Sequence, residues 1–292
     1  MPRSIGIVVT DHLTIGVVEG GAASQILHPS EARDADLLRS MPSEELIRLA
    51  CDGVVSLAAG QPVEAVGIAF PGFVRGGVVE EAPNFSQFKG CSLEAGIGEG
   101  LRERGISAKV KLSNDADAIA AGIAARHNQL DQIVRVWTLG NGIGFGRYPA
   151  AEGVWEGGHT VVSLDPKERY CGCGGQGHLE GIMGNRAIRL RFLDLEPEEV
   201  FAAAINGDDG RCAEFLLLWH RALAAATASS IHMVGPGKFY LSGQNARFVN
   251  ASLLNRYLQD MVMMSSLQGY VFEIVEHGDE VAVAGSVINA LG

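Results

Sequence analysis

Two thiols, an imidazole and a carboxylate crowd into the eleven-residue stretch CGCGGQGHLEG, residues 171–181, among five glycines. Cys171, Cys173 and His178, with His159 ahead of them, are soft and borderline ligands of the kind that hold zinc tetrahedrally. The glycines let a short backbone fold around one ion without strain. Four protein ligands leave no open position, so the expected ion is structural. The remaining cysteines, Cys51, Cys91 and Cys212, are scattered and read as small apolar residues. An odd number of cysteines does not suggest a disulfide framework.

Two other stretches carry residues suited to chemistry. In SNDADA, Asp115 stands where a strand turns into an alanine-rich helix, a place that holds a carboxylate rigidly and suits a general base. Its plainer role would be to cap that helix, which Ser113 or Asn114 could do equally well. In LGNGIGFG, residues 139–146, backbone N–H groups at Gly140, Asn141, Gly142 and Gly144 could approach phosphate oxygens. Alone, such a stretch is more often an ordinary hairpin turn.

The elements that must position these groups follow from the patterning. SIGIVVTDHLTIGVVEGG reads as a hairpin with Thr10, Asp11 and His12 at its tip. A helix is expected from about Ser43, with Glu44 and Glu45 where its dipole favours them. EAVGIAF is a buried strand ending at Pro71 and Gly72. SLEAGIGEGLRERG is a helix with Gly105 as C-cap, and SAKVKL another strand. Past Gln129 the pattern restarts with a second hairpin, IVRVWTLGNGIGFGRYP. Helices near Arg186, Pro197 and Asp209 come next, then strands KFYLS and YVFEIVEH and a last helix near Glu280. Opening twice with a hairpin predicts two α/β domains with a cleft between them. The expected boundaries are 1–114 and 115–279, the helix at about 280–292 packing back on the first.

The formal charge of −11 argues against nucleic acid or an anionic membrane as partner. Small anions remain open, because backbone dipoles can hold a phosphate on an acidic protein. FLLLWHRALAAATASSIHMVG, from Phe215, carries His220, Arg221 and hydroxyls, and suits a buried helix better than a membrane span. MPRSIGIVVT lacks a basic-then-apolar signal pattern, so a cytoplasmic chain is expected.

Taken in order, APNF, SNDADA, LGNGIGFG, EGGH, CGCGGQGHLE and VAVAGSVINAL resemble the ROK family of bacterial sugar kinases, glucokinase-like members of the actin and hexokinase (ribonuclease H-like) ATPase fold. The resemblance covers nearly the whole chain. It implies phosphoryl transfer from ATP, with magnesium, to a sugar hydroxyl in the cleft, in a homodimer or higher oligomer. Asp115 matches the catalytic aspartate. Gly72, Asn84, Asn114, Glu156, His159 and Glu180 fall at sugar-binding places, and carboxylates suit a polyol because each oxygen accepts hydrogen bonds. His159 could hold the ion through one nitrogen and donate to sugar through the other. Gly243, in LSGQNA, falls in the adenosine-binding turn.

Departures from the pattern are specific. His178 stands where the family has cysteine, and Asp117 where it usually has asparagine. Ser242 and Gln244 replace glycines. In the first hairpin the family's Asp-x-Gly-Gly-Thr becomes Val8, then Thr10, Asp11 and His12; valine cannot coordinate magnesium, and side chains crowd the phosphate side. ROK repressors carry a DNA-binding helix-turn-helix ahead of this core; here the chain begins at the core's first strand, so that branch is not expected. Two readings follow. One is a working sugar kinase with a rearranged metal shell that uses Asp11; the other is a catalytically weak sugar-binding or regulatory relative.

Overall fold

A computed structural model describes residues 3–150, 156–276 and 278–292. The chain divides into two compact units. In the first, the opening hairpin forms from β1 (Arg3–Val9) and β2 (Leu13–Glu19), paired antiparallel, with Val8 opposite Thr14. Its tip closes tightly, the Thr10 N–H donating to the His12 carbonyl at 3.1 Å. β3 (Ala22–Leu27) extends the sheet, α1 (Ala35–Ser40) is capped by Asp34, and α2 (Ser43–Ala58) starts with Glu44 and Glu45 in its first turn. β4 (Val63–Phe70) runs parallel to β1. A small ribbon of β5 (Phe73–Arg75) and β6 (Val78–Glu81) precedes α3 (Leu93–Glu103), β7 (Lys109–Asn114) and α4 (Asp115–Arg126). The main sheet has the order β3-β2-β1-β4-β7, and on it lies a core in which Phe70, Phe85 and Phe88 meet at 5.1–6.4 Å.

The second unit has its own sheet, ordered β11-β10-β8-β9. The second hairpin supplies β8 (Val134–Leu139) and β9 (Ile143–Tyr148), whose residues 136–145 belong to this unit while 134–135 and 146–148 belong to the first. Helices α5 (Glu180–Met183), α6 (Asn185–Arg191), α7 (Pro197–Asn206) and α8 (Gly210–Val234) follow. β10 (Lys238–Ser242), α9 (Ala251–Met261) and β11 (Val271–Ile274) complete the unit. The apolar stretch at Phe215 lies within α8, where Phe215, Trp219 and Leu223 are buried. His220 is fully buried and neutral by construction: Nδ1 faces the Leu216 carbonyl at 2.8 Å, and Nε2 accepts the Asn250 N–H at 2.8 Å. Burial pushes its pKa down. No described helix is long and apolar enough to cross a membrane.

The chain then returns to the first unit as α10 (Asp279–Leu291). This helix packs on α4 at backbone range, since a Cβ on Gly285 would lie 1.7 Å from the Ala118 carbonyl oxygen. Only glycine permits that approach. The contact corrects the expected domain boundary. Residues 115–135 pack with the first unit rather than opening the second, because eight positions of α4 are buried and α10 covers it.

Candidate functional site

The glycine-rich loop gathers four ligand groups in the second unit. His159 Nδ1 lies 3.5 Å from both the Cys171 and Cys173 sulfurs and 3.2 Å from His178 Nδ1. The two sulfurs are 3.4 Å apart, and Cys173 Sγ is 3.2 Å from His178 Nδ1. These separations suit a tetrahedral zinc ion, whose metal–sulfur distance of about 2.3 Å and metal–nitrogen distance of about 2.0 Å place ligand atoms roughly 3.3–3.8 Å apart. They exclude a disulfide, whose sulfurs stand about 2.05 Å apart. Burial pushes the Cys171 thiol up to about 12, so an ion here must displace a firmly held proton. Burial, then the neighbouring His159, holds His178 below the usual imidazole range, which keeps its ring neutral and able to ligate.

Backbone pairing fixes this loop. Val162 donates to the Gly177 carbonyl at 2.8 Å, and Leu179 donates to that of Thr160 at 2.9 Å. Arg191 clamps it from α6: its guanidinium pairs with Glu168, donates to the Gly181 carbonyl at 2.9 Å and covers the Tyr170 ring at 4.2 Å. Nothing in the local pattern singled out Arg191, because its three partners are brought to it only by the folded loop.

Glu156 and Glu180, expected on the sugar side, adjoin the cluster. With Nδ1 turned to the thiols, His159 presents Nε2 at 4.0 Å from Glu156 Oε2. Burial raises the Glu156 carboxyl, opposed by His159 and reinforced by Glu180. Glu180 accepts the Ile143 N–H on Oε2 at 3.0 Å, and Oε1 is 3.7 Å from the Cys171 sulfur.

At the β8–β9 turn, the glycines differ in what surrounds them. A Cβ on Gly142 would meet Glu180 Oε2 at 2.8 Å, whereas one on Gly140 meets only Gln244, at an ordinary 3.5 Å. Gly144 donates to Thr138 Oγ1 at 3.1 Å. Gly243 has φ +90°, and its Cβ would lie 2.6 Å from the Leu139 carbonyl oxygen, so the turn after β10 is obliged to be glycine. Asn141 Oδ1 is 3.4 Å from Asn185 Nδ2 and 3.5 Å from Gln244 Nε2, and Asn245 donates to Asn185 Oδ1 at 2.7 Å. Asn185 and Asn245 are buried polar residues that sequence reasoning missed. Each is separated from the turn along the chain and joins it only through the fold.

In the first unit, Asn114 caps α4. Its Oδ1 accepts from Ala116 at 2.8 Å and Asp117 at 3.4 Å, while Nδ2 donates to the Gly72 carbonyl at 2.9 Å. Asn114 therefore holds the strand end and caps the helix that Asp115 opens. Gly72 has φ +100°, and a Cβ there would lie 2.4 Å from the Glu81 carbonyl oxygen. Asn84 is exposed on the turn after β6. Asp117 accepts the Arg147 N–H at 2.9 Å, which ties α4 to the end of β9. At the first hairpin, Val8 is 1% exposed, Asp11 is exposed and Thr10 half-buried. Val8 offers a magnesium ion no ligand, and the carboxylate at this tip is Asp11.

Comparison with known proteins fits this arrangement. The model of the ROK family matches residues 34–291. The chain is 30% identical over 277 residues to a glucokinase of Thermotoga maritima, covering 80% of this chain and 82% of that protein. A ROK family glucokinase from Streptomyces griseus, solved with glucose and AMPPNP, superposes with TM-score 0.68 at 21% identity, over 98% of each chain. A ROK family transcriptional regulator, homologous to the E. coli MLC protein, superposes with TM-score 0.73 at 21% identity, over 99% of this chain and 78% of that one. The fold is thus the α/β actin-like fold of ROK sugar kinases. The chain belongs to the ROK family.

Proposed function

We propose that this protein is an ATP-dependent sugar kinase that transfers the γ-phosphoryl group to a hydroxyl of a hexose or hexose derivative. Asp115 carries the reading: it opens α4 at the end of β7, a rigid place for a carboxylate, next to Asn114, which caps the helix. It accepts the proton of the attacking sugar hydroxyl. Glu156, His159 and Glu180 in the second unit bind sugar hydroxyls; in the first unit the sugar-binding groups are Asn84, Gly72 and Asn114. The β8–β9 turn and Gly243 receive the nucleotide. His159, Cys171, Cys173 and His178 hold a structural zinc ion, which fixes the orientation of His159 and the position of Glu180. Relatives support the donor and acceptor: one is named a glucokinase, and a structural neighbour was solved with glucose and AMPPNP. Phosphoryl transfer depends mainly on positioning and charge stabilisation, with a base for the nucleophile.

A second reading, a sugar-binding or regulatory protein, is favoured by one observation. Val8 fills the place of the family's metal-orienting aspartate with a buried apolar side chain. Loss of one electrostatic contact to a transferring phosphoryl group is worth about 3 kcal/mol, roughly a hundredfold in rate. Calorimetric titration with Mg-ATP, run beside a coupled ADP-release assay over a hexose panel, separates the two. Sugar-dependent ADP release supports the kinase; sugar binding without nucleotide binding or turnover supports the second reading.

A further inference from the structure

The first unit holds another group of metal-ligating side chains, apart from the glycine-rich loop. We propose that His12, His28 and Asp279 form a binding site for a borderline divalent transition metal. The three come from the β1–β2 tip, the segment after β3 and the first turn of α10, and one ligand atom of each lies within 4.8 Å of those of the others. His12 Nε2 is 2.6 Å from Asp279 Oδ2, and the two imidazoles sit 5.2 Å apart, tilted by 57°.

Thr14, fully buried, orients two of the three, Asp279 and His28. Its hydroxyl donates to Asp279 Oδ2 at 3.1 Å and lies 3.3 Å from His28 Nδ1. With the hydroxyl hydrogen committed to the carboxylate, the Thr14 oxygen accepts from His28 Nδ1–H, which leaves the lone pair on Nε2. Metal sites hold their histidines in this way, one ring nitrogen fixed by a hydrogen bond and the other free to ligate. Two imidazoles and one carboxylate suit zinc, cobalt or nickel; magnesium and calcium prefer oxygen ligands. An ion with ligand bonds of about 2.0–2.2 Å would spread the His12–Asp279 pair from hydrogen-bond distance to about 3.3 Å. His28 is exposed and the other two half-exposed, so solvent reaches the site. Three ligands leave at least one position for water or a small anion.

Cobalt(II) distinguishes this site from the thiol cluster by spectrum. Full-length protein, dialysed against a weak chelator, is titrated with cobalt(II). The expected result is an equivalent whose d–d absorption carries no sulfur-to-metal charge-transfer band. His12→Ala and His28→Ala, each first shown to melt at the wild-type temperature without cobalt, should lose that equivalent. Thr14→Val should weaken it by about tenfold or more. Absence of a sulfur-free equivalent in the wild type, or its persistence in both histidine variants, would overturn the assignment.

Discussion

Glu180 bonds to Ile143 across the second unit, its Oε2 accepting the Ile143 N–H at 3.0 Å. Its other oxygen faces the Cys171 sulfur, so one carboxylate links the β8–β9 turn to the loop that carries the thiols. Glu180→Gln keeps an oxygen for Ile143 but loses the charge. It should melt near the wild-type temperature while the sugar KM rises about tenfold or more, the worth of a charged hydrogen bond. Glu180→Ala also strands the Ile143 N–H and should cost about 1–3 kcal/mol of stability, read from chemical denaturation.

Asp115→Asn tests the base. Asn114 caps α4 and is untouched by the substitution, and the melting temperature is measured beside the kinetics so that a loss of fold is told from a loss of chemistry. kcat should fall about a hundredfold to ten-thousandfold with little change in sugar affinity. Retained turnover would remove Asp115 from the chemistry.

Wild-type protein should keep about one zinc ion per chain through dialysis, and Cys173→Ser should abolish it, both measured by elemental analysis of untagged protein. A strong chelator should produce the same loss and lower the melting temperature of the wild type. A fully stable, zinc-free wild-type chain would refute a structural ion at this cluster.

His220 gives a pH dependence outside the site. Its folded pKa lies below the unfolded value of about 6.5. The unfolded chain therefore takes up the proton first, and stability present above pH 6.5 is lost as pH falls toward the folded pKa. His220→Gln should flatten the denaturation free energy between about pH 7 and 5, at a fixed cost from the altered contacts to Leu216 and Asn250.

Local pattern made much of this molecule legible. Alternation and polar tips announced both hairpins; acidic residues marked the start of α2; Gly105, at φ +77°, ended α3 as a C-cap residue should. Cys171 and Cys173 sit two residues apart, so their cluster could be read directly. What escaped depends on partners distant in sequence. The assignment of α4 to the first unit rests on α10, at the other end of the chain. Arg191 matters through Glu168 and Gly181, and Asn185 through Asn245. Short β5 and β6, and β3 with its half-exposed residues, carry too little apolar alternation to stand out.

The return of α10 to the first unit bears on the order of assembly. During translation, β1, β4 and α4 emerge early, yet the helix that shields them is made only after the whole second unit. The second unit, contiguous but for its opening hairpin, can close while its predecessor is still bare on one face. Removal of those final residues should thus yield a chain whose early half aggregates while its late half remains ordered, as limited proteolysis would show.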